Sequence, residues 1–281
     1  MTNSSISIDG KTKLYGIIGY PVSHSFSPRM HTTAFCEINY NAVYLPFPIK
    51  ESKLGQLLDA FEMTGVLGFN VTVPYKEKII PFLDELSPAA RVLQTVNTVK
   101  FEDHKWKGFT TDGAGFTRSL KEARISLRGK TVLMVGAGGA AKAIAYALAN
   151  KNVELLHILN RTEEKSNIIK NMLQKTFPSV EISISSEPRY SFDILINCTS
   201  VGMSSEECPV ADKIIRNSRY IADIIYSPLQ TTLLKKAKHF NIPCQNGLGM
   251  LLHQGAKAFE IWTQHPAPLE KMKETLLKSF V

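Results

Sequence analysis

The sequence predicts an α/β fold made of two α/β domains. Short apolar segments that indicate strands alternate with segments whose apolar residues recur at helical spacing. This alternation starts again near residue 114, where a glycine-rich turn joins the next clear strand to a helix. Because repeated strand-helix-strand units form parallel sheets with helices on their faces, we expect two such layers and a cleft between the domains.

The first domain is predicted from five segments and a hairpin. Strands are expected at 13–20, 41–49 and 68–74, and helices at 27–38 and 52–65. Ser27 is predicted to cap the first helix, and Pro28 to occupy its first position, where a missing N–H needs no partner. Two strand-like segments flank Glu102–Asp103 and predict the hairpin.

The second domain continues the pattern toward the end of the sequence. Strands are expected at 130–138, 153–160, 192–198, 219–225 and 242–246, and helices at 114–124, 140–150, 163–176, 231–240 and within 248–280. We find no internal repeat and no low-complexity linker. Two closely joined domains are therefore favoured over domains on a flexible tether.

The amino-acid composition excludes several classes of protein. The chain has 281 residues, of which 44% are hydrophobic and 21% charged, which is typical of a globular protein and not of a disordered one. The net charge of +8 suits anionic partners, but the lysines are spread out, so nucleic-acid binding is not expected. The four cysteines lack CxxC spacing, so neither a metal site nor a disulfide framework is predicted.

No segment indicates a membrane location. The first residues lack the apolar core of a signal peptide. The most apolar window, 131–150, is interrupted by three glycines and Lys142 and does not suit a membrane span. A cytoplasmic, reducing setting is therefore expected.

The segment VLMVGAGGAAKAIA holds the clearest local motif. Gly136, Gly138 and Ala141 match G-x-G-x-x-A between an apolar strand and a helix. The first glycine of this pattern permits a tight turn, the second lets the backbone approach a pyrophosphate, and the small third residue allows close packing. The context predicts dinucleotide binding, with a simple packing turn as the alternative.

The end of the next strand indicates which dinucleotide is bound. NAD-binding domains usually carry Asp or Glu there to hold the ribose hydroxyls. Here the strand ends in Asn160-Arg161-Thr162, with Lys165 one turn later and no carboxylate at the strand end. An arginine fork suits a phosphate, so NADP is favoured over NAD. Without a ligand, these cations would stand at a helix start, which is slightly unfavourable.

Two charged residues are candidates for handling a proton. Exchange of hydride with an alcohol needs a side chain that accepts the hydroxyl proton. Lys76 lies just past a strand end, and Asp112 lies between the hairpin and the second domain, where the cleft is expected. The two are predicted to form a proton-relay pair, although either alone could be an ordinary surface charge.

The loop after the first strand supplies hydroxyls. Ser23 and Ser25 precede a helix start, which favours an anion, so a carboxylate ligand is predicted there. The alternative is that Ser25 and Ser27 only cap the helix. His31 lies among apolar neighbours on that helix and is predicted to be a hydrogen-bonded structural histidine.

Nine segments match one known family in order. They are GYPVSHSFSP, GFNVTVPYK, VNTV, TTDGAGF, VGAGGAAKA, NRT, NCTSVGM, DIIYSP and NGLGMLLHQ. On these motifs the chain resembles the shikimate dehydrogenases over about residues 14–262. The resemblance implies an oxidoreductase that uses NADP to reduce 3-dehydroshikimate reversibly to shikimate, in the shikimate pathway of aromatic amino-acid biosynthesis.

The resemblance also implies roles for single residues. Lys76 and Asp112 resemble the catalytic pair, and Ser23 and Ser25 resemble the serines that bind the substrate carboxylate. Further substrate contacts are implied for Thr72, Asn97, Tyr226 and Gln254. Cofactor contacts are implied for Gly136, Ala137, Gly138, Gly139, Ala140, Asn160, Arg161, Thr162, Lys165, Ile224 and Gly247. No metal ligand is expected.

The family pattern implies a discontinuous substrate-binding domain. Its C-terminal helices are expected to pack back on the first domain, giving 1–113 with 246–281 around a Rossmann-type NADP-binding domain at 114–245. The sequence departs from the family at Thr32, at Gln94-Thr95 and at Thr110, where asparagine or smaller residues are usual. These changes leave the catalytic groups in place but alter their surroundings.

Three alternatives stay open at this stage. A quinate/shikimate dehydrogenase that uses NAD would share the fold. A regulatory protein that binds NADP without catalysis would keep the glycine motif but would need neither Lys76 nor Asp112. A basic nucleic-acid-binding protein is the third. The expected partners are shikimate and 3-dehydroshikimate, and the oligomeric state is open between monomer and homodimer.

Overall fold

The structure is a computed structural model that describes residues 8–185 and 191–280. The predicted α/β class is confirmed, because strands and helices alternate through two compact units. The first unit runs to Thr111 and resumes at Leu252, and the second unit is Asp112–Leu251. The assignment of substrate binding to 1–113 with 246–281, and of cofactor binding to 114–245, stays a prediction.

The first unit contains a six-stranded sheet. Its strands are β1 (Lys13–Gly19), β2 (Ala42–Pro48), β3 (Val66–Val71), β4 (Glu85–Leu86), β5 (Thr98–Glu102) and β6 (Lys105–Phe109). Its helices are α1 (Ser27–Glu37), α2 (Leu57–Met63) and α3 (Pro88–Leu93), with short 3-10 turns at Glu51–Gln56, Ile80–Phe82 and Lys278–Phe280.

The order of the first sheet is β2-β1-β3-β5-β6-β4. Strands β1, β2 and β3 are parallel, whereas β5 pairs antiparallel with both β3 and β6 as the predicted hairpin. Strand β1 lies between β2 and β3, so the strand order reverses there. Ligands of open α/β sheets bind outside the carboxyl ends of strands at such a point.

The described residues of the second unit form a sheet of six strands, and all of its strand pairs are parallel. They are β7 (Thr131–Val135), β8 (Leu155–Leu159), β9 (Glu181–Ile184), β10 (Phe192–Asn197), β11 (Ser218–Asp223) and β12 (Cys244–Gln245). The helices are α4 (Asp112–Glu122), α5 (Gly139–Ala149), α6 (Glu163–Thr176), α7 (Asp212–Arg216) and α8 (Thr232–His239).

Two further helices follow. Helix α9 (Leu248–Thr263) begins in the second unit and ends in the first, to which α10 (Leu269–Leu277) also belongs. In the first unit the indole nitrogen of Trp262 donates to the Val99 carbonyl at 2.8 Å, and Met30 packs within reach of Gly255. The C-terminal helices therefore complete the core of the first unit, as the resemblance implied.

The second sheet has the order of a dinucleotide-binding fold. Counted along the chain, its strands lie in the order 3-2-1-4-5-6, which is β9-β8-β7-β10-β11-β12. Apolar side chains cover both of its faces. Leu133 and Leu195 pack on one side, and Val132 and Leu156 pack on the other. This explains why these strands are nearly continuous apolar runs without polar alternation.

One predicted helix cap is wrong. Helix α1 begins at Ser27 itself, the flanking residue is Phe26, and no side chain caps the helix. The Ser25 hydroxyl instead accepts a bond from the Ser27 amide at 3.3 Å. Within residues 8–185 and 191–280, no helix has the length and apolar character that crossing a membrane requires.

Candidate cofactor and substrate sites

A cavity of about 820 Å³ lies at the carboxyl ends of β7 and β8 in the second unit. This is the edge where β7 and β10 meet and the strand order reverses. Seven of the residues predicted to bind the cofactor line it: Gly136, Ala137, Gly138, Asn160, Arg161, Thr162 and Lys165. A volume in this range suits a ligand the size of a nucleotide.

The glycines of the loop differ in their surroundings. Gly136 has φ +108°, its amide donates to the Leu159 carbonyl at 2.8 Å, and a side chain there would press on Cys198. The fold therefore requires glycine at position 136. A Cβ on Gly138 would have no atom within 4 Å. The open space above Gly138 suits the close approach of a pyrophosphate, so the loop fits the predicted cofactor.

The part of the cavity wall that follows β8 consists of a turn and two cationic side chains. The Asn160 side chain donates to the Thr162 carbonyl at 2.8 Å and holds the turn that follows β8. Arg161 and Lys165 are exposed at the cavity wall, as phosphate-binding side chains need to be. Glu163 also lines the cavity, as the first residue of α6, and the sequence analysis did not weigh it.

Four predicted cofactor residues lie outside the cavity wall. Gly139 and Ala140 form the start of α5, directly after the glycine loop. Gly247 and Ile224 lie close together. The Gly247 amide donates to the Ile225 carbonyl at 2.9 Å. A Cβ on Gly247 would come within 2.0 Å of the Ile224 carbonyl oxygen. The structure thus brings Gly247 and Ile224 together, and their role toward the nicotinamide stays a prediction.

Sequence reasoning missed one side of the cavity. Thr199, Ser200 and Val201 line it directly after β10, together with Ser166, Ser185 and Pro209. A signal for the first three was present, since the segment NCTSVGM follows a predicted strand whose carboxyl end lies beside that of β7. The side chain of Ser166 is 2% exposed, and its hydroxyl has no hydrogen-bond partner among the described residues.

In the first unit, the predicted carboxylate site lies where β1 and β3 end. The Thr72 amide donates to the Ile18 carbonyl at 2.9 Å, and the Tyr20 amide donates to the Val73 carbonyl at 3.2 Å. A Cβ on Gly19 would meet Thr72 Cγ2 at 2.5 Å, so only glycine permits this approach. The loop that follows places Ser23 at the surface and leaves Ser25 half-buried.

Asn97 is the centre of a buried polar cluster. Its Oδ1 accepts from the Thr111 amide at 2.7 Å, and its Nδ2 donates to Gln254 Oε1 at 3.2 Å. Beneath it, Asn70 Nδ2 donates to the Asn97 carbonyl at 3.0 Å, and Asn70 Oδ1 accepts from the Tyr44 hydroxyl at 2.7 Å. The structure therefore brings together Asn97 and Gln254, two residues predicted to hold substrate hydroxyls.

Lys76 is linked to this cluster by a backbone hydrogen bond, and Asp112 follows a member of the cluster in the sequence. The Lys76 carbonyl accepts from the amide of Val96 at 2.8 Å, directly before Asn97, and the Lys76 side chain is half-buried. Asp112 follows Thr111 in the chain, begins α4 and is 5% exposed. In the second unit, Tyr226 is half-buried, and burial raises its pKa.

The departures from the family pattern have structural explanations in two cases. The Thr32 hydroxyl accepts from the Tyr44 amide at 3.2 Å and so joins α1 to β2. Gln94 ends α3 with φ +50°, and its side chain donates to the Arg91 carbonyl at 2.7 Å, which stabilises the left-handed conformation. The Thr110 hydroxyl is buried without a hydrogen-bond partner among the described residues.

The prediction that His31 is hydrogen-bonded is wrong, although the residue is buried among apolar neighbours as expected. His31 is fully buried, and neither ring nitrogen has a hydrogen-bond partner in the part of the chain that the structure describes. Its ring stacks on Tyr44 with centroids 4.6 Å apart and also contacts Trp262. Burial lowers the pKa of His31 to about 3, so the ring stays neutral and packs as an aromatic side chain.

No group of three or more His, Cys, Asp or Glu side chains that could hold a metal ion occurs within residues 8–185 and 191–280. None of the four cysteines forms a disulfide: Cys198 is buried, and Cys36, Cys208 and Cys244 are partly buried.

Comparison with known proteins identifies the family. Residues 17–99 match the shikimate dehydrogenase substrate binding domain, residues 119–224 match the shikimate / quinate 5-dehydrogenase family, and residues 247–277 match the shikimate 5'-dehydrogenase C-terminal domain. Together these matches span both units.

Full-length relatives agree with this. The shikimate dehydrogenase (NADP(+)) of Alkaliphilus metalliredigens is 40% identical over 280 residues, which cover 96% of this chain and 98% of the relative. A crystal structure of shikimate dehydrogenase in complex with NADP+ superposes with a TM-score of 0.92 at 38% identity, covering 98% of each chain.

A second crystal structure, shikimate 5-dehydrogenase from Listeria monocytogenes in complex with shikimate and NAD, has a TM-score of 0.89 at 36% identity. It covers 96% of this chain and 98% of the Listeria chain. Because the matches extend over nearly the whole sequence and both units, the chain belongs to the shikimate dehydrogenase family.

Proposed function

We propose that the protein is an NADP-dependent shikimate dehydrogenase, an oxidoreductase that catalyses the reversible reduction of 3-dehydroshikimate to shikimate. The observation that carries this proposal is the cavity at the carboxyl ends of β7 and β8, which is lined both by the glycine loop and by Arg161 and Lys165. The relatives named above bear the same activity in their names, which supports the proposal.

The cofactor site suits a phosphorylated dinucleotide. Gly136 to Gly138 would hold the pyrophosphate with backbone amides, and Arg161 and Lys165 would hold the 2′-phosphate. When bound, NADPH supplies the hydride for the reduction. Glu163 is the one carboxylate on the described wall of this cavity, and its charge is offset by the two cations.

The substrate is assigned to residues of the first unit. Ser23 and Ser25 would bind its carboxylate, while Thr72, Asn97 and Gln254 would bind its hydroxyls. The bonds from Asn97 to Gln254 and Thr111 support this role, because they fix both amide groups before a ligand arrives. Tyr226 of the second unit is proposed as a further contact.

Lys76 and Asp112 are proposed to handle the proton. In the direction of reduction, Lys76 Nζ would donate a proton to the oxygen of the forming alcohol, and the Asp112 carboxylate would stabilise the lysine ammonium. The backbone bond from Val96 to Lys76, and the position of Asp112 directly after Thr111, support a role for both residues beside the Asn97 cluster.

The deciding experiment is an activity matrix. Purified protein is assayed with shikimate and with quinate, each with NADP and with NAD, and absorbance of the reduced nicotinamide is followed. We expect shikimate with NADP to give the highest kcat/KM. Preference for quinate with NAD would favour the second candidate, a quinate dehydrogenase, which one matching family description includes. Cofactor binding without turnover of either substrate would favour a regulatory protein.

We further propose that the protein works in the cytoplasm as a monomer or a homodimer. The absence of disulfides among its four cysteines suits a reducing compartment. Sedimentation of the purified protein would distinguish a mass near 31.3 kDa from twice that value.

A further inference from the structure

A buried carboxylate lies at the carboxyl end of the second sheet and does not line the cofactor cavity. Asp223 is the last residue of β11 and is 1% exposed. Its register partner on the neighbouring strand is Asn197, the last residue of β10, which is 0% exposed. The side chains of these two residues are joined by a bond of 3.0 Å from Asn197 Nδ2 to Asp223 Oδ1.

Neutral donors hold this carboxylate. Besides Asn197, the Ile225 amide donates to Asp223 Oδ1 at 3.0 Å, and the Thr231 hydroxyl donates to Oδ2 at 2.7 Å. Burial raises the pKa of Asp223, and the three donors oppose that rise. A carboxyl group buried in this way imposes a fixed geometry on its donors, because a donor that moved away would leave it unsatisfied.

One branch of the network reaches the cavity wall. Asn197 Oδ1 accepts from the Thr199 amide at 3.0 Å and from the Thr199 hydroxyl at 2.7 Å, and Asn197 Nδ2 also donates to the Val201 carbonyl at 3.3 Å. The Val201 amide donates in turn to the Thr199 hydroxyl at 3.0 Å. Thr199 and Val201 line the cavity, so the position of this wall is set by Asn197.

The other branch reaches the segment proposed to line the nicotinamide. The Ile225 amide binds Asp223, and the Ile225 carbonyl accepts from the Gly247 amide at 2.9 Å. Gly247 lies so close to the Ile224 carbonyl that a Cβ would come within 2.0 Å of its oxygen. Asp223 is therefore bonded directly to the segment 224–226 through Ile225 and is linked to the loop 199–201 through Asn197, although it is itself enclosed.

We propose that Asp223 is a positioning residue of the cofactor site, which fixes the loop 199–201 through Asn197 and the segment 224–226 with Gly247 through Ile225. The proposal rests on the proposed function, since it takes both stretches to contact one bound NADPH. Asp223 acts through its donors and does not touch the cofactor.

The test compares two substitutions at this position. Asp223→Ala removes the acceptor for all three donors. Asp223→Asn keeps the size and one acceptor oxygen, which can still accept from Ile225 and Asn197. NADPH binding is measured by nicotinamide fluorescence, and amide hydrogen exchange is measured over the loop 199–201 and at Ile225. If Asp223→Ala does not fold, Thr231→Val replaces it; this substitution removes one donor to Asp223 and also the hydroxyl that accepts from the Leu234 amide at the start of α8.

Asp193 provides a matched control at the opposite end of β10, the strand that neighbours β11. It is the second residue of β10, and its carboxylate accepts from the Thr131 amide at 3.1 Å and from Lys130 at 3.3 Å. Asp193→Ala removes a comparable cluster at the amino ends of the strands, away from the cavity. It therefore reports the effect of destabilising the sheet alone.

We expect Asp223→Ala to weaken NADPH binding by about tenfold or more, the scale of lost preorganisation, and Asp223→Asn to recover most of that loss. Amides of Thr199, Val201 and Ile225 should exchange faster in Asp223→Ala but not in Asp193→Ala. Asp193→Ala should bind NADPH within about twofold of the unaltered protein at a temperature where both are folded.

Two results would overturn the proposal. NADPH affinity of Asp223→Ala within about twofold of the unaltered protein would show that the network does not position the site. Equal loss of affinity in Asp223→Ala and Asp193→Ala would show a general effect of sheet stability. Failure of the unaltered protein to bind NADPH would instead reject the proposed function, and with it this inference, so the two failures are distinguishable.

Discussion

At the scale of single residues, we expect the charged side chains of the second-unit cavity to select its ligand. The side chains of Arg161 and Lys165 line this cavity and are exposed, and Glu163 lies between them in the sequence. A carboxylate on this wall is what a ribose hydroxyl would need, whereas the guanidinium is what a 2′-phosphate would need. We therefore expect the balance between these side chains to determine the preference between the two dinucleotides.

Replacing Arg161 by Ala should reduce the preference for NADP over NAD. Charge-assisted hydrogen bonds contribute about 1.5–3 kcal/mol, so the ratio of kcat/KM for the two cofactors should fall by about 10- to 100-fold. Glu163→Gln, on the same wall, serves as the control and should leave NADP use unchanged or improve it. Equal losses with both cofactors would contradict a contact between Arg161 and the 2′-phosphate.

Replacing Lys76 by Met should lower kcat by about 100-fold or more, because no side chain then exchanges the alcohol proton. NADPH affinity should be unchanged, since Lys76 belongs to the first unit and the cavity to the second. Lys78→Met is the matched control: Lys78 lies two residues on and pairs with Glu51 at 2.6 Å on the surface. A Lys76→Met enzyme with normal turnover would reject the proton-transfer role.

At the scale of elements, the turn between β7 and α5 contains one glycine that the backbone conformation requires and a second glycine that the backbone conformation does not require. Gly136 adopts a positive φ and is packed against Cys198, but Gly138 has φ −83° and no neighbour within 4 Å of an added Cβ. No atom of the described residues requires glycine at position 138. We therefore expect a ligand to approach the backbone there.

Gly138→Ala should therefore keep the melting temperature and lose cofactor affinity. Calorimetry should show Gly138→Ala close to the unaltered protein, while NADPH titration should show binding weakened by about tenfold or more, as expected when a methyl group displaces a phosphate. Gly136→Ala should instead lower the melting temperature, since Ala is strained at positive φ. Normal NADPH binding by Gly138→Ala would contradict the pyrophosphate assignment.

The sequence was sufficient to predict the longer elements, whereas the cofactor roles of the residues at their ends stay predictions. Helix α6 occupies the predicted residues 163–176, and β7, β8, β10 and β11 were all anticipated, because long apolar runs between helices have few alternative structures. The short elements α3, α7 and β9 were missed, since segments of four to six residues carry too little periodicity.

The polar clusters could not be predicted from spacing. Asn97 and Gln254 are bonded although 157 positions separate them, and only the packing of α9 brings them together. The resemblance to a family supplied these residues, whereas composition and periodicity did not. The failure at His31 has the same origin, because whether a buried ring finds a partner depends on side chains that are distant in the sequence.

At the scale of the whole molecule, the buried His31 should make stability depend on pH. Its pKa falls from 6.5 in the unfolded chain to about 3 in the folded protein, so below pH 6.5 only the unfolded state binds the proton. The contribution is complete above pH 6.5 and is lost as pH falls, at about 1.4 kcal/mol per pH unit. Acid should therefore destabilise the first unit.

Urea unfolding at pH 7.5 and pH 5.0 tests the predicted loss of stability in acid. The unaltered protein should lose about 2 kcal/mol more stability than His31→Phe between the two pH values, because Phe packs against Tyr44 without binding a proton. Equal losses in the two proteins would show that His31 does not titrate as the structure indicates.

The interrupted first unit has a consequence for synthesis. A nascent chain leaves this unit at Thr111 and returns to it only at Leu252, so the partners of Val99 and Met30 on α9 are translated after the whole second unit. At elongation rates of about 5–20 residues per second, these partners follow the second unit's first residue by roughly seven to thirty seconds. During that interval the second unit can fold on the ribosome, while the apolar faces of β1 to β6 that α9 later covers stay exposed and prone to aggregation.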